Sequence, residues 1–220
     1  MSRGPTTRRS ASDAPRAWVR LASGRRIDLL NPSPLDFEDQ DIAIGLSRTP
    51  RWGGHSIWEW PLSVAQHSIL VLELAAAKKS TGMSDRLRLA VLLHDASEGL
   101  MAFDPISPVK PFLGPGYRAL DTRLQAAIHV RYGLPTSLPA DWTALIKEAD
   151  RASAAAEARH VAGWTVTEIR QALGITARPP AEDPLVPRYG GTPWEPWPAR
   201  LAAQRFQAAL DALMARITTT

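Results

Sequence analysis

The strongest constraint on the fold of this chain is a series of segments in which apolar residues recur every three or four positions. Four such segments cover residues 64–79, 85–98, 117–131 and 140–161. This spacing places the apolar side chains on one face of an α-helix. Ser63 and Ser84 directly precede the first two segments and are expected to cap them. The pattern predicts an all-α protein, built as a helical bundle.

Shorter patterns account for much of the remaining chain. Residues 18–30 hold two alternating runs around Ser23-Gly24, which indicates a small N-terminal β-hairpin. A first helix is expected over residues 34–47, with Ser33 as its cap. A short helix is expected over 165–173, and a final amphipathic helix over 199–217.

Length and charge favour one folded body with a basic leader. A chain of 220 residues, 45% of them apolar, is sufficient for a single domain. We expect a flexible basic tail over 1–17, and one domain over 18–220 with its core at 33–162 and a C-terminal extension at 163–220. The first 26 positions hold seven arginines and one acidic residue, whereas the remaining chain has 19 basic and 21 acidic residues. Because the expected body is nearly neutral, nucleic acid is not expected as a partner.

Composition also excludes several classes of site and location. The chain has no cysteine, which removes disulfides, thiolate metal sites and cysteine nucleophiles. Its apolar runs are far shorter than the roughly 20 residues that span a bilayer, so no membrane association is expected. The first residues lack the apolar core of a signal peptide, and we expect a cytoplasmic protein. A homo-oligomer, dimeric or larger, is compatible with the sequence.

Three of the predicted helices each place ionisable residues on a face that should point inward. These residues are His67, His94 with Asp95, and Asp150. Such groups are costly to bury unless they are paired, shifted in pKa or bound to a metal. Two imidazoles and two carboxylates form a mixed nitrogen and oxygen site for a divalent cation. On one continuous helix His94 and Asp95 would differ by about 100°, so both would reach an ion only at the edge of an interhelical groove.

The order of these residues resembles that of a known family. The chain contains Ser63-Val-Ala-Gln-His67-Ser, then His94-Asp95-Ala-Ser-Glu98, and finally Asp150. Together with Arg51-Trp52 and Asp104-Pro-Ile-Ser-Pro-Val-Lys110, this series is similar to the HD-domain phosphohydrolases. Within them it is closest to the bacterial 5′-deoxynucleotidases and their deoxynucleoside triphosphate triphosphohydrolase relatives. The resemblance covers about residues 24–160, and position 66 is Gln where many members have Glu.

The resemblance implies a role for each of these residues. A divalent cation (Co, Mn, Zn, Fe, Ni or Mg) would be held by four ligands: His67, His94, Asp95 and Asp150. Such a cation polarises a phosphoryl oxygen and lowers the pKa of water toward 7. Glu98 would orient or deprotonate the attacking water, and Asp104 would either hold that water or protonate the departing 5′ oxygen. Arg51 and Lys110 would bind phosphate, and Trp52 would pack against the sugar and crowd a 2′-hydroxyl.

Three functions follow as expectations. The first is a 5′-deoxynucleotidase that converts a small deoxyribonucleoside monophosphate into a deoxynucleoside and phosphate. The second is a triphosphohydrolase that releases triphosphate from a deoxynucleoside triphosphate. The third is a nucleotide sensor without turnover, which Glu98 and Asp104 argue against because a sensor needs no proton-transfer groups.

Plainer structural roles remain open for the same residues. His67 could be a core histidine, Glu98 a surface carboxylate, Asp104 a turn residue and Lys110 a solvated side chain. Arg51 and Trp52 could anchor a loop. We assign no role to His55, His129 and His160, and His129 is expected to be exposed.

Overall fold

The order of the secondary-structure elements is that of an all-α protein with a small hairpin, as the sequence predicts. The computed structural model describes residues 15–79 and 82–219. The elements are β1 (Trp18–Arg20), β2 (Arg26–Asp28), α1 (Asp39–Arg48), α2 (Val64–Lys78), α3 (Asp85–Leu92), α4 (Ala96–Met101), α5 (Gly114–Arg131), α6 (Ala140–His160), α7 (Val166–Gln171), α8 (Val186–Tyr189) and α9 (Ala199–Thr219). Short 3₁₀ turns occur at Trp52–Gly54 and Lys110–Leu113.

The N-terminal hairpin begins at Trp18, directly after the segment that was expected to be a flexible tail. Residues 1–14 of that segment lie outside the described residues. The backbone N–H of Ala17 donates to Asp28 Oδ1, so the chain is already bonded to the hairpin at this point. Strands β1 and β2 pair in antiparallel register with Val19 opposite Ile27, and Ile27 is buried in the core.

The predicted caps of two helices are confirmed. The hydroxyl of Ser63 accepts a hydrogen bond from the N–H of Gln66, and that of Ser84 accepts one from Leu87. Thr165 and Glu168 form a reciprocal capping box at the start of α7. Helix α2 therefore begins at Val64, which places His67 in its first turn.

The predicted start of the first helix is wrong. Helix α1 begins at Asp39 and is capped by Glu38, not by Ser33. Ser33 instead forms a turn with Asp36, because its carbonyl accepts from the Asp36 N–H and its own N–H donates to the Asp36 carboxylate. A serine beside prolines is equally suited to such a turn, and here the turn is preferred to a cap.

The prediction of one continuous helix over 85–98 is also wrong, because the helix is interrupted between Leu92 and Ala96. Helix α3 ends at Leu92 and α4 begins at Ala96, so His94 and Asp95 lie in the turn between them. The amide of Gln125, on α5, stabilises this turn: its Nε2 donates to the Leu93 carbonyl and its Oε1 accepts from the Ser97 N–H. The break removes the 100° separation that one helix would have imposed on His94 and Asp95.

The core is formed where α2 packs against α1, α3, α6 and α9, and where α1 packs against α4 and α9. Phe206 and Leu210 of α9 are fully buried, so the segment 163–220 contributes to the same core. Gln66 joins α2 to the chain before α9, since its Oε1 accepts from Trp197 N–H and its Nε2 donates to the Glu195 carbonyl. Within the described residues, no helix has the length and apolar character needed to cross a membrane.

The expectation that His129 is exposed is wrong. Its side chain lies on the inner face of α5, and the residue is only 4% exposed. Its Nε2 lies 2.9 Å from the Nε2 of Gln125, the residue that stabilises the turn between α3 and α4. Its neighbour Arg131 does point outward, where it binds Asp39.

Candidate metal centre

Three of the predicted ligands meet at one point between α2, α6 and the turn that joins α3 to α4. Donor atoms of His67, His94 and Asp150 all lie within 4.8 Å of one another, a spacing that a single ion can bridge. The Nε2 atom of His67 is 3.3 Å from His94 Nε2 and 3.3 Å from Asp150 Oδ1. Residues 83 positions apart in the chain are thereby brought to one site by the packing of α2 against α6.

The fourth predicted ligand, Asp95, lies beside both histidines. Its Oδ2 atom is 3.4 Å from His67 Nε2 and 3.2 Å from His94 Nε2. Asp95 and Asp150 are partly exposed, whereas His67 is fully buried. The site is therefore open to solvent on the side of its carboxylates.

The hydrogen bonds of the two imidazoles indicate where their protons lie. The Nδ1 atom of His94 is 2.9 Å from the Val91 carbonyl, and Nδ1 of His67 is 2.5 Å from a carboxylate oxygen of Glu157. Both partners are acceptors, so each Nδ1 carries a proton and each neutral ring presents the lone pair of its Nε2 to the centre. When both rings are neutral, their two lone pairs and the carboxylates of Asp95 and Asp150 therefore converge on one point.

The charge of the neighbourhood also fits a divalent cation. Five carboxylates lie in or next to the cluster, and two cations accompany them: Asp95, Glu98, Asp104, Asp150 and Glu157, with Arg51 and Lys110. Without a metal, a proton on His67 would partly compensate the negative charge of the carboxylates. Burial and Arg51 oppose that proton, but Glu157, Asp150 and Asp95 nevertheless raise the pKa of His67 well above its usual value. The nitrogen and oxygen donors suit first-row transition metals.

Glu157 is the residue of the site whose role sequence reasoning missed. Its carboxylate is 1% exposed and bonds to four side chains: His67, Ser153, Arg51 and Trp52. Although burial opposes ionisation, Arg51 and His67 lower its pKa. The signal was available, because Glu157 stands among alanines on the same face of α6 as Asp150. A carboxylate in such a position needs a partner.

Arg51 and Trp52 lie at the site, and both are held by carboxylates. The guanidinium of Arg51 donates through Nε and Nη2 to Glu157 Oε2, and through Nη1 to Asp104 Oδ2 at 3.1 Å. The indole N–H of Trp52 donates to Glu157 Oε2 at 3.0 Å. Asp104, predicted as a catalytic residue, is thus an anchor for Arg51, and its side chain is only 4% exposed.

Glu98 and Lys110 form a second, less complete group. Lys110 Nζ donates to Glu98 Oε1 at 3.1 Å, and the lysine side chain is 40% exposed. Within the described residues, Glu98 Oε2 has no hydrogen-bond partner although it is buried. Burial raises the pKa of Glu98 to about 9, and the charges of Asp95 and Asp104 add to this effect. A raised pKa makes the ionised form a stronger base, and at pH 7 it also favours the protonated form.

Comparison with known proteins gives relatives but no activity. No family model matches the chain. An uncharacterized protein of Rhodobacter capsulatus is 47% identical over 178 residues, which cover 76% of this chain and 90% of the relative. The uncharacterized protein YfdR of Escherichia coli K12 is 31% identical over 134 residues, which cover 59% of this chain and 67% of the relative.

Proposed function

The chain belongs to the same protein family as the Rhodobacter capsulatus relative, and we propose that it is a metal-dependent phosphohydrolase of the HD-domain type. We further propose deoxyribonucleoside 5′-monophosphates as its substrates. The observation that carries the proposal is the convergence of two imidazole nitrogens and two carboxylates on one point. The order of the residues along the chain supports the same assignment.

When bound, a divalent cation would supply an activated water and polarise a phosphoryl oxygen. The residues that would hold it are His67, His94, Asp95 and Asp150. In the reaction the bond between phosphorus and the 5′ oxygen breaks, a bond from phosphorus to the water oxygen forms, and a proton passes to the 5′ oxygen. The products are a deoxynucleoside and inorganic phosphate.

The chain's own residues have distinct tasks in this proposal. Glu98 takes a proton from the attacking water at its Oε2, which has no hydrogen-bond partner within the described residues. Asp104, which is paired with Arg51, accepts a hydrogen bond from water in this proposal and does not donate a proton. Lys110 and the remaining N–H groups of Arg51 bind phosphate oxygens. Trp52 forms a wall beside the cluster on which the sugar packs.

The paired state of the cations favours a substrate with one phosphate. Arg51 and Lys110 are the cations at the site, and each already holds a carboxylate. Little positive charge is therefore left for a chain of three phosphates. The pairing of both cations therefore favours a monophosphate over a triphosphate, which would be cut at the same phosphorus atom.

The decisive experiment offers the protein, loaded in turn with Co²⁺, Mn²⁺ or Mg²⁺, matched ribo- and deoxyribonucleoside mono-, di- and triphosphates. Products are identified by ³¹P NMR, and EDTA-treated protein is the control. We expect inorganic phosphate from deoxyribonucleoside monophosphates and much less from ribonucleotides. Triphosphate release with inert monophosphates would support the triphosphohydrolase instead. Nucleotide binding without any product would support the sensor.

A further inference from the structure

One buried carboxylate connects the metal-ligand side of the site to the substrate side. Glu157 Oε1 lies 2.5 Å from His67 Nδ1 and accepts from Ser153 Oγ at 2.7 Å. Its Oε2 accepts from Trp52 Nε1 at 3.0 Å and from Arg51 Nε and Nη2 at 3.2 Å. Each oxygen thus serves one side, and the carboxylate has no exposed atom to offer a ligand of its own.

The bond to His67 has a chemical consequence for the ring. A carboxylate that accepts from Nδ1–H fixes the tautomer with a free lone pair on Nε2, and it limits rotation of the ring. That lone pair points at His94, Asp95 and Asp150. The opposite tautomer would place a proton at the centre of the cluster.

The backbone at Trp52 provides an independent observation. Trp52 has φ +56°, in the left-handed region, which a bulky aromatic residue rarely adopts. Strained backbone of this kind persists only where surrounding contacts over-determine it. The contacts that hold it include the indole bond to Glu157 and the two Arg51 bonds to the same carboxylate. Backbone bonds from Arg51 N–H to the Leu62 carbonyl and from His55 N–H to the Trp52 carbonyl add to them.

We propose that Glu157 is the positioning residue of the site: through one oxygen it fixes His67 as a metal ligand, and through the other it holds Arg51 and Trp52 in the conformation that meets the substrate. This inference rests on the proposed function. It adds that metal affinity and sugar recognition depend on one side chain that contacts neither metal nor substrate. Replacing it should therefore weaken both properties together, whereas replacing a contact on one side should weaken only one.

The test compares Glu157→Gln with three other variants. Asp183→Asn is the matched control, because Asp183 is a buried carboxylate that accepts only from backbone N–H groups in the C-terminal segment. Trp52→Phe removes the indole donor on the substrate side, and Ser153→Ala removes one donor on the histidine side. Co²⁺ affinity is measured by titration calorimetry and by the visible spectrum of the bound ion. The selectivity for deoxyribo- over ribonucleotide is measured separately.

We expect Glu157→Gln to weaken Co²⁺ binding by about 10- to 100-fold and to lower sugar selectivity, while Asp183→Asn changes neither. Trp52→Phe should lower selectivity and leave Co²⁺ affinity within about twofold of the wild type, as expected when the bond between His67 and Glu157 is kept. Unchanged Co²⁺ affinity in Glu157→Gln would overturn the inference. Failure of the wild type to bind any divalent metal would instead overturn the proposed function.

A measurement on the wild type keeps the inference testable if Glu157→Gln does not fold. In the Zn²⁺-loaded protein labelled with ¹⁵N-histidine, the His67 ring should carry its proton on Nδ1. A His67 ring protonated on Nε2, with Nδ1 free, would contradict the positioning role without any substitution.

Discussion

The two halves of the site differ in how completely their polar groups are satisfied. In the histidine half (His67, Ser153 and Glu157), both oxygens of Glu157 and the Nδ1 atom of His67 have hydrogen-bond partners, and all three residues are buried. In the carboxyl half (Glu98 and Lys110) one buried oxygen has no partner within the described residues, and the lysine is partly exposed. The histidine half is therefore preorganised, whereas the carboxyl half retains hydrogen-bonding capacity for water and substrate.

The elements that carry the two halves also differ in how tightly they are packed. The histidine half stands on the long helices α2 and α6. The carboxyl half lies on the short helix α4 and the irregular segment that follows it, where Phe103 and Phe112 are 44% and 88% exposed. The histidine half is thus supplied by two long packed helices, whereas Lys110 of the carboxyl half is supplied by an irregular segment with exposed apolar side chains.

The largest expected effect comes from removing a ligand at the junction of the two halves. His94→Ala deletes one of the two Nε2 lone pairs, so we expect loss of stoichiometric Co²⁺ binding and turnover below detection. Metal content after dialysis and phosphate release measure the two effects. The matched control is His55→Ala, because His55 is exposed and is not one of the grouped ligands. A His94→Ala protein that keeps one tightly bound ion would remove His94 from the ligand set.

A change in the carboxyl half should separate turnover from metal binding. Glu98→Gln keeps the shape of the side chain but cannot accept a proton from water, so we expect turnover to fall by about 10²- to 10⁴-fold. Co²⁺ affinity should remain close to that of the wild type. Glu148→Gln, at an exposed carboxylate on α6, is the control. Loss of the ion in Glu98→Gln would show that the two halves are not distinct in function.

Two kinds of feature could be predicted from the sequence: helix caps, which depend on neighbouring residues, and ionisable residues at positions that should be buried. The caps at Ser63 and Ser84 and the gathering of His67, His94 and Asp150 follow from spacing alone. The break between α3 and α4 could not be read in this way, because every residue from Ala90 to Ala96 is compatible with a helix. The break depends on Gln125, about 30 positions later, whose amide bonds to this turn.

The partners of the charged residues were the part of the site that was hardest to predict from the sequence. Arg51 and Lys110 were expected to be free for phosphate, and in the structure both are paired with carboxylates. Pairing between residues about 100 positions apart, such as Arg51 and Glu157, depends on how α6 packs against the rest of the bundle. No pattern in a single sequence encodes that distance.

The carboxyl half depends on a close contact between two backbones, and this contact can be tested through stability. A Cβ atom at Gly45 of α1 would lie 2.2 Å from the carbonyl oxygen of Gly99, the residue after Glu98. We expect Gly45→Ala to lower the free energy of unfolding toward the upper end of about 1–3 kcal/mol, measured by urea denaturation. Gly116→Ala is the control, because a Cβ atom there meets no heavy atom within 4 Å. Equal stability of the two variants would show that α4 can shift freely.

The histidine half has a corresponding support on its other side. Gln66 both accepts from Trp197 N–H and donates to the Glu195 carbonyl, and a carboxylate can do only the first. We therefore expect Gln66→Glu to lower the free energy of unfolding by about 1–2 kcal/mol, because a buried carboxylate oxygen would face a carbonyl oxygen. Gln204→Glu, at an exposed position on α9, should have little effect. If Gln66→Glu left the free energy of unfolding unchanged, the C-terminal segment would not support His67.

The smallest expected effect is a dependence of stability on pH that arises behind the turn between α3 and α4. Burial lowers the pKa of His129, so the folded chain favours the neutral ring, whose Nε2 lies beside the amide nitrogen of Gln125. As pH falls below the ordinary value near 6.5, the unfolded chain binds the proton more readily than the folded chain does, and stability falls. This contribution is at most about 1.4 kcal/mol for each pH unit below that value. Urea denaturation at pH 7.5 and 5.5 should therefore show a smaller loss of stability in His129→Gln than in the wild type. Gln125 also stabilises the turn that carries His94 and Asp95. An equal loss of stability in both proteins would mean that protonation of His129 does not weaken the packing of this turn.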